Sequence, residues 1–166
     1  MIKVSNVLVA TDFGEASVAA LAYGREFART FGARLHVLHV VESAATWVGP
    51  EAVGVDLARI QKEMEDSARE RLDRIVTPED RQQLNAVAII RTGHAPALEI
   101  TAYAKETGID VIIIGTHGRG WMGHFLMGNV AEKTVRIAPC PVLTVRHPEH
   151  EFILPDTLQL MEKAVG

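Results

Sequence analysis

The glycines in the last third of the chain are the residues whose type and spacing best suit chemistry. Gly115 and Gly118 stand three apart, and Gly128 follows after nine residues with Asn129 beside it. Glycine lets a backbone approach phosphate oxygens closely and point its N–H groups at them. A helix that begins after Gly128 would add the positive end of its dipole. The segment is therefore predicted to bind an anion, in particular a phosphate group.

Two common nucleotide signatures do not explain this segment. Residues 118–123 match the dinucleotide fingerprint G-x-G-x-x-G, but in that fingerprint the glycines open a helix and an acidic residue follows about twenty positions on. Here a helix is expected only after Gly128, five residues beyond the last glycine of the match. The P-loop pattern G-x-x-x-x-G-K-[ST] does not occur in the sequence. A dinucleotide fold and a P-loop ATPase are therefore disfavoured.

The wider glycine spacing resembles the ATP-binding signature of the universal stress protein family, G-x-x-G-x9-G-[S/T]. Three other segments are similar to that family and stand in the right order: VLVATD at 7–12, LHVVE at 38–42 and APCPVLTVR at 138–146. Together the four matches cover residues 2–146, and on them the chain is identified as a member of the family.

The resemblance implies a fold and a ligand. The fold is α/β, a three-layer open parallel sheet of five strands in the order 3-2-1-4-5 with helices on both faces, as in adenine nucleotide alpha hydrolase-like proteins. ATP would lie across the gap between strands one and four, with Mg²⁺ held mainly by its phosphates. Asp12 and Val40 would contact adenine, and the backbone near Ala10 would line its edge. The other residues of the implied site surround the ribose and phosphates: Gly115, Thr116, His117, Gly118, Arg119, Gly128, Asn129 and Val130.

Asn129 departs from the family signature, which ends in Ser or Thr. An asparagine amide can still donate a hydrogen bond to a phosphate oxygen. Alternatively, Asn129 caps the following helix, with Glu132 three residues later completing a capping box. The two interpretations carry equal weight, and both can hold together.

The residues between the motifs indicate the elements that position them. Short aliphatic runs alternate with longer amphipathic segments, which is typical of a parallel sheet covered by helices on both faces. In such a sheet ligands bind beyond the carboxyl ends of the strands, where the winding reverses. Asp12 ends the first strand beside that point, where its carboxylate would accept hydrogen bonds from an amine or a hydroxyl. Strands are predicted at 4–10, 34–41, 86–91, 110–115 and 141–146, and helices at 15–31, 55–76, 96–107 and 130–138.

Composition restricts the class of partner. The formal net charge is −4, which provides no basic face for nucleic acid or an anionic membrane. The longest aliphatic run, 111–114, is far too short to span a bilayer. One cysteine and the lack of a signal-peptide stretch predict a cytoplasmic protein. The domain is expected to comprise residues 1–146, and 147–166 a tail that is helical or docks on the core or a partner.

The remaining candidates for chemistry have simpler explanations. Cys140, between two prolines, is interpreted as a small buried residue and not as a nucleophile. His36 and His39 are predicted to face opposite sides of a strand, which prevents joint metal binding. No acid–base or nucleophile–base pair is evident, so at most slow ATP hydrolysis is expected.

The expected function is a nucleotide-dependent stress-response or signalling module, whose downstream protein partner the sequence does not identify. The alternatives are a nucleotide-free dimeric stress factor and a weak ATP hydrolase. In the implied strand order 141–146 is an edge strand with an unpaired backbone, which predicts a homodimer through this strand unless the tail covers it.

Overall fold

The strands and helices follow the predicted alternation. In the computed structural model, which describes residues 2–46, 54–116 and 128–146, five strands form one sheet. The strands are β1 (Asn6–Ala10), β2 (Arg34–Glu42), β3 (Val87–Gly93), β4 (Val111–Gly115) and β5 (Val142–Val145). The helices are α1 (Glu15–Phe31), α2 (Leu57–Ile75), α3 (Pro78–Gln83), α4 (Pro96–Thr107) and α5 (Asn129–Ile137), with a 3₁₀ turn at Ala44–Thr46.

All neighbouring strands pair in parallel, in the order β3-β2-β1-β4-β5. The predicted fold class is therefore confirmed. In the central pair, Val7 of β1 lies opposite Val111 of β4, and Ala10 lies opposite Ile114. The two strands thus end within one residue of the same level of the sheet.

The core is divided by the sheet into two apolar clusters. Val7 and Val9 belong to the cluster under α1 and α2, whereas Leu8 and Ala10 belong to the cluster under α4 and α5. Because successive residues of a strand point to opposite faces, a strand that is covered on both faces must be apolar at every position. That requirement explains why β4 has an aliphatic residue at each of the positions 111–114 before its terminal glycine.

One helix was missing from the sequence-based prediction. Thr77 accepts a hydrogen bond from the Asp80 N–H (3.1 Å), and the Asp80 carboxylate accepts one from the Thr77 N–H (3.0 Å), which is a capping box. Pro78 follows at the first helical position, where its missing N–H costs nothing. These residues start α3 and were a recognisable signal in the sequence.

Candidate functional site

The winding of the sheet reverses between β1 and β4. The chain leaves β1 through α1, which packs on one face, and leaves β4 toward α5, which packs on the other. Adjacent strands whose connections depart to opposite faces leave a crevice beyond their carboxyl ends, the usual ligand site of such sheets. Asp12 follows β1 and Thr116 follows β4 at this crevice.

The turn after β1 is fixed by side chains. The Thr11 hydroxyl accepts a hydrogen bond from the Phe13 N–H (3.0 Å) and donates one to the Ser17 hydroxyl (3.0 Å). The Asp12 carboxylate accepts a hydrogen bond from the N–H of Gly14 (2.9 Å), the residue that caps α1. The half-buried Asp12 is therefore held at the rim of the crevice by the turn itself. Sequence reasoning missed Thr11 and Ser17, although a hydroxyl residue directly before the aspartate was the signal for them.

The end of β4 lies close against the start of α1. A Cβ atom on Gly115 would come within 2.7 Å of the carbonyl carbon of Ala16, so this position requires glycine for packing alone. The next residue, Thr116, is buried and donates its backbone N–H to the Val145 carbonyl (2.8 Å). Gly115 therefore has a packing role in addition to the one that the family signature implies.

A backbone hydrogen bond joins the two residues that flank positions 117–127 of the glycine-rich segment. The Gly128 N–H donates a hydrogen bond to the Thr116 carbonyl, so the residues on either side of 117–127 meet next to the start of α5. His117, Gly118 and Arg119, which the resemblance assigns to the site, lie outside the described residues. The described residues that flank 117–127 therefore meet at the rim of the crevice.

The prediction that Asn129 caps α5 is wrong. Gly128 occupies the cap position and makes no side-chain cap, and its carbonyl accepts the first helical hydrogen bond, from the Glu132 N–H (2.9 Å). Asn129 is instead the first residue of the helix, with its side chain exposed. The N–H groups of residues 129–131 precede the first helical hydrogen bond and have no acceptor within the helix.

The apolar residues assigned to the site lie on one face of the sheet. Ala10 is buried in the cluster under α4 and α5, and Val40 and Val130 pack against the same cluster. The turn after β1 is also joined to β2, because the Thr11 N–H donates to the Leu38 carbonyl (2.9 Å). The structure therefore places Ala10 and Val40 on adjacent strands, with Asp12 two residues beyond the end of β1.

The structure also locates Cys140 and the two histidines of β2. Cys140 is half-buried, and burial together with the charge of Asp110 raises the pKa of its thiol, which disfavours the nucleophilic thiolate. His36 bonds to the Tyr103 hydroxyl on the α4 side, whereas His39 packs against Phe13 on the α1 and α2 side. Among the described residues no group of His, Cys, Asp and Glu has the arrangement of a metal site.

Comparison with known proteins agrees with this geometry. The model of the universal stress protein family matches residues 3–146. The chain belongs to the universal stress protein family. A universal stress protein of Thermus aquaticus is 31% identical over 84% of this chain and 97% of its own length. Another, from Methanocaldococcus jannaschii, is 28% identical over 87% of this chain and 84% of its own length.

Solved structures of this family share the fold. Universal stress protein UspA from Lactobacillus plantarum superposes with a TM-score of 0.70 at 26% identity, over 88% of this chain and 100% of its own. A universal stress protein in complex with cAMP gives 0.61 at 19% identity, over 87% and 98%. One from Archaeoglobus fulgidus in complex with dAMP gives 0.57 at 21%, over 87% and 99%. At these two lower identities the similarity concerns the fold alone.

Within residues 2–46, 54–116 and 128–146, no helix combines the length and the apolar character that crossing a bilayer requires.

Proposed function

We propose that this universal stress protein is a nucleotide-dependent signalling module that binds ATP with Mg²⁺ in the crevice where β1 and β4 end. The observation that carries the proposal is the convergence of Asp12, Gly115, Thr116 and the start of α5 at the reversal point of the sheet. Members of the family with the same fold have been solved with dAMP and cAMP, both adenine nucleotides.

The phosphates would bind at the start of α5. The Gly128 N–H is already engaged by the Thr116 carbonyl, so the donors available to phosphate oxygens are the N–H groups of residues 129–131. These amides and the positive end of the helix dipole suit a polyanion. Asn129, exposed at the first helical position, adds an amide donor where the family signature has a hydroxyl. Mg²⁺ would be held mainly by the phosphates, with Gly118 near them.

Adenine and ribose would lie toward β1 and β2. Asp12 supplies a carboxylate that accepts hydrogen bonds from an amine or a hydroxyl, while Ala10 and Val40 supply an apolar edge. A carboxylate at this end also repels phosphate, which orients the nucleotide with its phosphates toward α5.

Binding is favoured over turnover. The groups that the family motifs assign to the crevice, the Asp12 carboxylate and the amides at the start of α5, are groups that bind a nucleotide. ATP occupancy would then bias conformation or association, and any hydrolysis would be slow. A single cysteine, which cannot form a disulfide within the chain, fits our proposal of a cytoplasmic location.

The proposal is tested by identifying what the protein carries. Freshly purified protein is denatured, and the released small molecules are identified by mass spectrometry. We expect ATP or ADP from the natural sequence and none from Gly118→Asp, which adds a negative charge beside the phosphates. Equal amounts of nucleotide from both proteins would place the phosphates elsewhere and contradict the proposal.

A further inference from the structure

A histidine side chain of β2 holds the turn that follows β1. The Thr11 carbonyl, one residue beyond the end of β1, bonds to His39 Nδ1 (2.7 Å). Because a carbonyl oxygen can only accept a hydrogen bond, Nδ1 carries the hydrogen. The Thr11 N–H bonds to β2 as well, at the Leu38 carbonyl (2.9 Å). Both backbone polar groups of Thr11 are therefore attached to the neighbouring strand, and one of the two bonds depends on a side chain.

The bond from His39 acts directly on the residue that carries the crevice carboxylate. The Thr11 carbonyl belongs to the peptide unit that leads into Asp12, and this unit is planar. A hydrogen bond to its oxygen therefore also restricts the Asp12 N–H and the position of the Asp12 Cα. From there the Asp12 carboxylate accepts the Gly14 N–H (2.9 Å). His39 thus helps to fix the direction in which this carboxylate leaves the backbone.

Phe13, the next residue of the turn, has a backbone that needs such restraint. Its φ is +64°, in the left-handed region that phenylalanine rarely adopts, and residues in this region persist only where surrounding contacts hold them. Its N–H bonds to the Thr11 hydroxyl (3.0 Å). Its ring centroid lies 4.4 Å from that of His39 and 4.0 Å from the Arg71 guanidinium carbon. His39 therefore contacts the turn twice, through its ring nitrogen and through the packing of its ring.

His39 lies on the face of the sheet opposite the proposed adenine position. Successive residues of a strand point to opposite faces. Val40 packs with Ala10 against the cluster under α4 and α5, whereas His39 packs against Phe13, which belongs with the cluster under α1 and α2. An effect of His39 on a nucleotide would therefore pass through the turn and not through direct contact.

We propose that His39 is a positioning residue of the nucleotide site, which keeps the Asp12 carboxylate directed at the ligand by holding the Thr11 carbonyl. This inference rests on the proposed function, because it requires a ligand amine or hydroxyl that donates to Asp12. The role requires a hydrogen-bond donor at the place of Nδ1, whereas packing against Phe13 requires only bulk. Substitution can separate these two properties.

Two variants of His39 test the role of the donor. In His39→Asn the amide nitrogen stands as many bonds from Cα as Nδ1 does, so a donor is kept, whereas His39→Leu keeps bulk and has none. We expect calorimetric titration with Mg-ATP to show about tenfold weaker binding in His39→Leu and less than about threefold weaker binding in His39→Asn. Equal losses in the two variants, or none in His39→Leu, would overturn the proposal.

The matched control is the other histidine of β2. His36 bonds to the Tyr103 hydroxyl on the opposite face and has no printed bond to the turn after β1, so His36→Gln should leave ATP affinity unchanged. In the natural protein, NMR of the isotopically labelled His39 ring should show the hydrogen on Nδ1. A ring that carries its hydrogen on Nε2 alone would overturn the proposal, whether or not the variants fold.

Amide exchange of the nucleotide-free protein tests the same role without a ligand. The bond to the Asp12 carboxylate protects the Gly14 N–H from exchange with solvent. We expect the Gly14 amide to exchange at least about threefold faster in His39→Leu than in His39→Asn. Equal Gly14 rates in these variants would overturn the proposal even where ATP binds. Absence of ATP binding by the natural protein would instead contradict the proposed function, while the Gly14 rates would still decide whether His39 holds the turn.

Discussion

Asp12 has a structural role in the turn after β1 and, in the proposed function, a binding role. Its carboxylate accepts a hydrogen bond from the Gly14 N–H (2.9 Å), and this bond orients it at the crevice. An asparagine side chain also has an oxygen that can accept the Gly14 bond, but it lacks the charge that strengthens a bond to a ligand donor. The two roles can therefore be separated by one substitution.

We expect Asp12→Asn to weaken ATP binding about tenfold and to change the free energy of unfolding by less than about 1 kcal/mol. Asp110→Asn is the matched control, because the Asp110 carboxylate accepts the Ser5 and Asn6 N–H groups at the opposite end of the sheet. It should lower stability and leave ATP affinity unchanged. Calorimetric titration and urea unfolding measure both quantities, and equal affinity losses in the two variants would contradict the assignment.

His36 is a buried polar residue with satisfied partners. The Asn6 amide NH₂ donates to the Gly108 carbonyl (3.3 Å), so its oxygen accepts from His36 Nε2–H (3.3 Å), and Nδ1 accepts from the Tyr103 hydroxyl (2.8 Å). Burial, with a smaller contribution from the charge of Arg34, lowers the pKa of His36 to about 4. The neutral ring is thus part of the folded state.

Stability should consequently fall between pH 6.5 and pH 4. As the pH drops through 6.5 the unfolded chain binds a proton at His36, whereas the folded protein does so only near pH 4. The free energy of unfolding should decrease by about 2 to 3 kcal/mol from pH 7 to pH 4.5. In His36→Gln, which cannot titrate, urea unfolding should show a much smaller decrease. An equal decrease in that variant would contradict the role of His36.

At the scale of residues, the sequence predicted where the proposed site residues stand in the fold better than the contacts that each of them makes. Asp12, Val40 and Gly115 could be placed because family motifs and the strand pattern agree. The packing of Gly115 against Ala16 and the use of the Gly128 N–H by Thr116 could not, because both depend on distances between segments far apart in the chain.

At the scale of elements, each of the five strands and four helices predicted before the tail forms, with ends that differ by at most two residues from the structure. The apolar pattern is strong because both faces of the sheet are covered. The ends depend on individual hydrogen bonds: at the start of β1, the N–H groups of Ser5 and Asn6 bond to the carboxylate of Asp110, which is distant in sequence. The apolar pattern could not reveal α3, since six residues are too few for helical periodicity; only the capping residues Thr77 and Asp80, with Pro78 between them, indicated it.

A buried ion pair attaches α3 to α1. Arg25 bonds both oxygens of the Asp80 carboxylate (2.8 Å each) and the Ile75 carbonyl (2.8 Å). Burial acts to raise the pKa of Asp80, but the hydrogen bonds from Arg25 and Thr77 outweigh it, so the pKa lies below its usual range. Asp80 is therefore charged in the folded protein and depends on Arg25.

Arg25→Ala should lower the free energy of unfolding by about 3 kcal/mol, because it leaves the Asp80 charge buried without its partner. Arg29→Ala, in the same helix, removes an arginine that pairs with Glu26 at the surface (2.5 Å) and should cost less than about 1 kcal/mol. Urea unfolding at pH 7 compares the two variants. Equal losses would show that the Arg25 pair does not hold α3.

At the scale of the whole molecule, β5 lies at one edge of the sheet. β5 pairs only with β4 among the described strands, and Val142, Leu143 and Thr144 are half-buried. An edge strand with apolar side chains needs a cover, and we propose a second copy of the chain in an isologous pair. The alternative cover is the tail 147–166, which lies outside the described residues.

Light scattering distinguishes the two covers. We expect the full chain to have about twice the 18.1 kDa mass of one chain, and a shorter chain ending at His147 to do so as well. A monomeric full chain that dimerises only after removal of the tail would show that the tail covers β5 and would contradict the proposed dimer.

Binding of ATP is the central claim, and calorimetric titration of the nucleotide-stripped protein with Mg-ATP tests it most directly. The intact glycine spacing and the amides at the start of α5 predict a Kd in the micromolar range, on the order of −7 to −8 kcal/mol. Heat of binding should be accompanied by a rise in the melting temperature, because a ligand that binds only the folded state stabilises it. No heat and no thermal shift at millimolar Mg-ATP would contradict the account.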